Sequence, residues 1–220
     1  MTEAEWLAAT DPVLMLTFLQ KGGANRSGGG RRRLRLVGCG CTRRVSEHLT
    51  ERGLRWLELG ERMADNLLSK PQRREAGASD FGPFDGQRID HQADSAAWCT
   101  VCSNVMIAAL GAAGAVEIAT WRRSGDAHVA DGERGIQAAL IRDIFGNPFR
   151  PVAVDSSWFT STVIKLAEGI YAERAFDRLP ILADALQDAG CDNEDILSHC
   201  RTGGLHVRGC WVVDLLTGRK

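Results

Sequence analysis

Apolar residues recur along this chain at spacings of three and four positions, which is typical of amphipathic helices. Two stretches show the pattern most clearly, from Thr50 to Leu68 and from Thr162 to Arg174. The sequence has no paired stretches of alternating polar and apolar residues, and no hairpin dipeptide lies between apolar runs. The pattern predicts a mainly α protein, built of antiparallel helix pairs in one irregular helical array without a substantial β-sheet.

Capping residues and breakers place further helices. Thr2 with Glu5 forms a potential capping box, and Asp11-Pro12 is a favoured helix start. The other predicted helices are Leu34–His48, Ala93–Trp121, Gly135–Phe145, one from Asp177 to Gly190, and one that begins at Asp192. The last apolar segment, Cys210–Leu216, is too short for periodicity to separate helix from strand. In the C-terminal helices we expect Trp158, Ile170, Leu182, Leu186 and Trp211 to be mostly buried.

Residues 71–90 are polar and rich in Gly, Pro and Asp. This composition predicts a linker or surface loop between an N-terminal helical segment, 1–70, and a C-terminal helical region, 91–220. A single continuous domain over 1–220 is the alternative.

The overall composition is that of an ordinary globular protein, with 44% hydrophobic and 25% charged residues. The net charge of −1 argues against general binding of polyanions. No window approaches the roughly 18 apolar residues of a membrane helix, and the acidic start Met1-Thr2-Glu3 has no signal-peptide core. We therefore expect a cytoplasmic protein that does not enter a membrane.

One segment departs from this balance, because Lys21–Arg44 carries basic residues and no acidic one. Its arginines are candidates for contact with nucleic-acid phosphates or with an acidic partner: Arg31, Arg32, Arg33, Arg35, Arg43 and Arg44. The segment lacks interleaved aromatic residues and any recognition motif. A solvated helix end, or pairing with the acidic remainder of the chain, is therefore the favoured interpretation.

Five potential metal ligands lie within twenty residues near the C-terminus: Cys191, His199, Cys200, His206 and Cys210. A structural zinc ion takes four Cys, His or carboxylate ligands in a tetrahedral arrangement. No Cys-x2-Cys pair anchors this cluster, and buried free cysteines commonly pack as small hydrophobic residues. Packing is the favoured interpretation, and zinc is the cofactor hypothesis that the spacing supports.

The sequence contains no Gly-x-Ser-x-Gly elbow, no phosphate-binding loop and no recognisable triad. An enzyme is therefore not favoured. We expect a non-catalytic protein-interaction or adaptor module with a protein partner still to be identified. The alternatives are a zinc-stabilised helical protein that uses the C-terminal Cys and His residues, and a nucleic-acid-associated regulator that uses Arg31–Arg44.

Three C-terminal motifs are Ile141-Arg142-Asp143-Ile144-Phe145-Gly146-Asn147-Pro148-Phe149-Arg150-Pro151, Leu179–Leu186, and His206-Val207-Arg208-Gly209-Cys210-Trp211. Together with the start Met1–Trp6 and the segment Leu34–Arg44, they resemble a family of bacterial proteins of planctomycete type. The resemblance covers both ends of the chain, whereas residues 71–104 depart from it. That family has no established activity, so the resemblance implies a family and no site residues.

Overall fold

The computed structural model of the chain describes residues 1–78 and 81–219. Throughout these residues the regular structure is helical and no β-strand is present, so the predicted mainly α fold is confirmed. The α-helices are α1 (Glu3–Ala8), α2 (Pro12–Lys21), α3 (Gly28–Arg43), α4 (Glu51–Ala64), α5 (Lys70–Gly77), α6 (Ile89–Val101), α7 (Ala112–Ser124), α8 (Ala127–Phe145), α9 (Ser161–Glu173), α10 (Leu179–Asp188), α11 (Glu194–Arg201) and α12 (Trp211–Leu216). Short 3-10 turns lie at Ser46–His48, Ser156–Trp158 and Phe176–Arg178, and a π-helical turn lies at Ile107–Gly111.

None of these helices, over the part of the chain that the structure describes, combines the length and the apolar character needed to cross a lipid bilayer.

Contacts divide the chain into two compact units, Met1–Ile141 and Arg142–Lys220. The segment 71–90, predicted as a linker, contains most of α5 and lies inside the first unit. The preceding helix, α4, packs against α6, which begins at the end of this segment. Ser79 and Asp80, in the middle of the predicted linker, lie outside the described residues.

Side-chain caps explain where several helices begin. Thr2 and Glu5 form the predicted capping box, and Asp11 accepts hydrogen bonds from the N–H groups of Val13 and Leu14. Asn193 caps α11 by accepting a hydrogen bond from the N–H of Ile196. That helix therefore starts one residue later than the predicted cap at Asp192. Each of these caps satisfies an N–H group that the helix itself leaves unpaired.

Glycines allow the helices of the first unit to approach closely. A Cβ atom on Gly38 of α3 would lie 2.1 Å from the carbonyl oxygen of Ala108 in the π-helical turn. On Gly60 of α4 it would lie 2.3 Å from the hydroxyl oxygen of Thr100 in α6. Both distances are far below van der Waals contact, so these crossings depend on the absence of a side chain.

The Ala-rich stretch Ala93–Trp121 is not the single helix predicted from its composition. The helix α6 ends at Val101, and the backbone of Cys102 has a non-helical ψ of 143°. Asn104 then accepts a hydrogen bond from the N–H of Met106, which restarts the helix through the π-helical turn into α7. Asn is strongly preferred at the start of a helix. Asn104 therefore begins a new helix inside a stretch whose alanine content predicts a continuous one.

The second unit has an apolar core formed by α9, α10, α11 and α12. Trp158, Ile170, Leu182 and Leu186 are buried there as predicted, whereas Trp211 is only partly buried. The segment that periodicity left open, Cys210–Leu216, is the helix α12 with Cys210 at its N-cap.

Candidate metal centre

Four potential metal ligands converge in the second unit. They are Asp143 on α8, His199 on α11, His206 in the loop after α11, and Cys210 at the start of α12. One ligand atom from each residue lies within 4.8 Å of the corresponding atoms of the others. Residues far apart in the sequence are therefore brought to one point by the ends of three helices.

The backbone around the cluster holds these side chains in place. The helix α8 ends two residues after Asp143, where Gly146 adopts a φ of 65°. The N–H of Val207 donates a 3.0 Å hydrogen bond to Asp143 Oδ2, which leaves Oδ1 to face the two histidines. Gly209, with a φ of 98°, turns the chain so that Cys210 follows at the N-cap of α12. Left-handed backbone of this kind favours glycine.

The two distances from His199 are close to those of a tetrahedral metal site. His199 Nε2 lies 3.2 Å from Cys210 Sγ and 3.2 Å from Asp143 Oδ1. Donors bound to one tetrahedral zinc ion are separated by about 3.3–3.6 Å, as follows from the usual zinc–ligand bond lengths. His206 Nδ1 lies 2.7 Å from Asp143 Oδ1, which is a hydrogen-bond length. A bound ion would therefore require these two atoms to separate by about half an ångström.

Charges within the cluster are strongly coupled. Burial would raise the pKa of Asp143, but hydrogen bonds from His199 and His206 outweigh it and the pKa is lowered. Burial would lower the pKa of His206, but the hydrogen bond and the charge of Asp143 outweigh it and the pKa is raised. The Asp143 carboxylate thus favours a positive charge beside it, and a metal cation can supply that charge.

Cys210 completes the donor set. Its side chain is fully buried, and burial together with the Asp143 carboxylate raises its pKa well above that of an ordinary thiol. The N–H groups of Val212 and Val213, at the start of α12, act in the opposite direction. A thiol in this position stays protonated unless a cation binds it, and a metal-bound thiolate can accept hydrogen bonds from those two N–H groups.

The same residues do not form a nucleophile triad. In a triad the carboxylate holds one ring nitrogen of the histidine, and the other nitrogen faces the nucleophile. Here one nitrogen of His199, Nε2, lies 3.2 Å from both Cys210 Sγ and Asp143 Oδ1. A proton relay needs the thiol and the carboxylate at opposite nitrogens of the histidine ring. Because both contact the same nitrogen, the arrangement fits a shared cation better.

Aromatic residues enclose one side of the cluster. The rings of His199 and Trp211 are 5.2 Å apart between centroids, and those of His199 and His206 are 4.9 Å apart. A Cβ atom on Gly146 would lie 3.3 Å from the Trp211 ring, so the indole packs directly against the backbone after α8.

Three of the five predicted ligands meet in this cluster: His199, His206 and Cys210. Cys191 and Cys200 are placed instead in the apolar core of the second unit. Burial raises the pKa of Cys200 to about 12, as expected for a thiol that packs as a hydrophobic residue. Asp143 is not among the predicted ligands, because that prediction rested on the close spacing of Cys and His residues near the C-terminus.

A signal for Asp143 does exist in the sequence. It is an acidic residue in the last turn of a helix, where the helix dipole disfavours negative charge. It also lies between apolar residues, Ile141 and Ile144, on the same buried part of the helix. A charge at such a position needs a specific partner.

The arginines of the basic segment are largely engaged within the first unit. Arg32 and Arg35 are only 5% and 6% exposed. Arg32 pairs with Asp65 at 3.1 Å, and Arg35 donates a hydrogen bond to the carbonyl of Thr100.

Arg43 and Arg44 have acidic partners as well. Arg43 pairs with Glu61 at 2.6 Å, and Arg44 makes a two-pronged contact with Glu133. Arg31 is exposed and Arg33 is half-buried. The charges of Arg32, Arg43 and Arg44 are thus matched by acidic side chains of the same unit.

No protein-family model, no curated protein and no solved structure matches this chain.

Proposed function

We propose that this protein is a metal-stabilised helical protein whose second unit binds one divalent transition metal ion through Asp143, His199, His206 and Cys210. The observation that carries the proposal is the position of His199 Nε2, 3.2 Å from both the thiol of Cys210 and the carboxylate of Asp143. The side chains that meet there come from α8, α11, the following loop and the start of α12.

Zinc fits this donor set best. A thiolate and two imidazoles favour a borderline transition metal over magnesium or calcium, which prefer oxygen ligands. A carboxylate and a thiolate also balance the two positive charges of the ion. Four protein donors leave no coordination position for a substrate, which supports a structural role.

The size of the second unit gives a reason for such a role. It contains about 80 residues, Arg142–Lys220, and an apolar core of that size provides limited stability on its own. A metal that joins the end of α8 to α11 and α12 would add its binding free energy to the free energy of folding.

Binding to another protein, the leading expectation from the sequence, remains part of this proposal. The first unit has an open depression of about 600 Å³ between α1 and α2, next to the exposed side chain of Leu14. Nucleic-acid binding is less favoured, because Arg32, Arg43 and Arg44 already have acidic partners within the protein.

Cobalt(II) titration of the metal-free protein tests the proposal. Cobalt in a tetrahedral site with one thiolate gives strong visible absorption and a thiolate-to-metal charge-transfer band. We expect both signals to reach their maximum at about one equivalent of cobalt. Excess zinc should displace the cobalt and remove both signals. Cys210→Ser should abolish the charge-transfer band.

Cys191→Ser is the matched control, because Cys191 is also buried in the second unit but lies outside the cluster. Its cobalt spectrum should equal that of the wild type. A folded wild-type protein that shows no tetrahedral cobalt spectrum would reject the proposed function.

A further inference from the structure

The four ligands differ in how firmly the fold holds them. Asp143 and His199 project from helices, and Cys210 occupies the N-cap position of α12. His206 instead follows the four-residue segment Thr202-Gly203-Gly204-Leu205, which is exposed throughout and contains no regular structure. In the described part of the chain, neither glycine of this segment forms a backbone hydrogen bond.

Both ends of the segment are anchored. The N–H of Thr202 bonds to the carbonyl of Ser198 in α11, and the N–H of Val207 bonds to Asp143 Oδ2. Between these points, His206 contacts Asp143 Oδ1 at 2.7 Å and the carbonyl of Thr202 at 3.5 Å. The segment can thus change its course without breaking a helix or disturbing the apolar core.

We propose that Thr202–Leu205 is a strap that carries His206 onto and off a metal ion already held by Asp143, His199 and Cys210. This inference rests on the metal-binding function proposed above. Loading then has two steps, in which three ligands capture the ion and the strap closes to add the fourth. The ion leaves only after the strap has opened, so the strap controls how readily the site exchanges its metal.

The two glycines set the balance between the open and closed strap. Glycine has more conformations to lose than any other residue, so the pair favours the open state. Neither glycine has a φ in the left-handed region. A Cβ atom on Gly203 would meet nothing within 4 Å, and one on Gly204 would meet only the Thr202 carbonyl at 3.9 Å. Alanine therefore fits the closed strap at both positions while restricting the open one.

The test measures the rate at which the zinc-loaded protein releases its ion to an excess of a colour-forming chelator in stopped flow. For Gly203→Ala/Gly204→Ala we expect release to slow by roughly 4- to 30-fold, from the usual effect of replacing glycine by alanine at a compatible position. The control is Gly169→Ala, within α9 of the same unit, where a Cβ atom also meets nothing within 4 Å. It should leave the release rate unchanged.

A second set of variants ties the effect to His206. His206→Ala should still bind zinc through three ligands, release it faster than the wild type, and no longer respond to the strap alanines. His206→Gln takes its place if the alanine variant fails to fold, as judged by circular dichroism.

Three results would overturn the strap while leaving metal binding intact. They are an unchanged release rate in the strap variant, an effect of the strap alanines that persists without His206, and loss of all zinc binding from a folded His206 variant. A wild-type protein that takes up no metal would overturn the proposed function and the strap together.

Discussion

Asp143 is a buried carboxylate in the last turn of α8, next to carbonyl groups that the helix leaves unpaired. It compensates for this position through the N–H of Val207 and through both histidines of the cluster. The hydrogen bonds lower its pKa in spite of burial, so the carboxylate is charged and suited to bind a cation. Its environment explains why the site forms at the end of this helix.

Leu182 and Ile181, neighbours on α10, provide a direct test of the core. Leu182 is fully buried, whereas Ile181 is 58% exposed. Leu182→Ala should lower the free energy of unfolding by about 2–5 kcal/mol, because it removes buried methyl groups and leaves a cavity. Ile181→Ala should change it by less than about 0.5 kcal/mol, as for other exposed positions. Urea unfolding measures both, and equal effects would contradict the described packing of α10.

Single residues were predicted from the sequence where local spacing carried the information. His199, His206 and Cys210 were proposed as metal ligands together with Cys191 and Cys200, because the five lie within a short stretch. The sequence did not place Asp143 among these ligands, because its distance from His199, His206 and Cys210 depends on how α8, α11 and α12 pack. The same packing assigns Cys191 and Cys200 to the apolar core, a distinction that residue type alone does not provide.

At the level of elements, α3 contains most of the arginines of the basic segment. Its arginines contact Asp65 just beyond α4, Glu61 of α4 and Glu133 of α8. A buried or partly buried ion pair stabilises little in itself, but removing one partner leaves an uncompensated charge. Arg32, Arg43 and Arg44 therefore form ion pairs inside the first unit and fix the position of α3.

Gly38 provides a test of the helix crossing between α3 and the π-helical turn. Gly38→Ala would place a methyl group 2.1 Å from the Ala108 carbonyl oxygen, so the helices must move apart. We expect a loss of about 1–3 kcal/mol in the free energy of unfolding, as for other overpacked sites.

Gly132→Ala is the control for this substitution, because Gly132 is exposed on α8 and a Cβ atom there meets nothing within 4 Å. It should raise stability by about 0.5–1 kcal/mol through helix propensity. If Gly38→Ala stabilised the protein to the same extent, the close crossing would be refuted.

Helices were predicted well where capping and periodicity agreed, as in α1, α4 and α9. Local propensity alone does not account for the glycine run Gly28–Gly30, because glycine disfavours helices. There Ser27 caps α3, and the first turn of the helix consists of the three glycines. The intrinsic cost of glycine in a helix is offset by the tertiary contacts of the rest of α3, which no local pattern reports.

At the level of the whole molecule, the chain consists of two compact units, and the candidate metal site lies entirely within the second. The sequence placed the division at 71–90 because turn-forming residues are concentrated there. The contacts place it inside the continuous helix α8, where no composition signal marks it. In our account, the second unit depends on its metal and the first depends on helix packing and internal ion pairs.

The most direct test of this account is elemental analysis of the untagged protein, combined with melting curves in the presence and absence of a chelator. We predict about one zinc ion per chain and a chelator-induced decrease in melting temperature, because metal-binding free energy contributes to folding free energy. Added zinc should restore the original curve. A folded protein that contains no metal, and whose melting is unaffected by both chelator and zinc, would contradict the account.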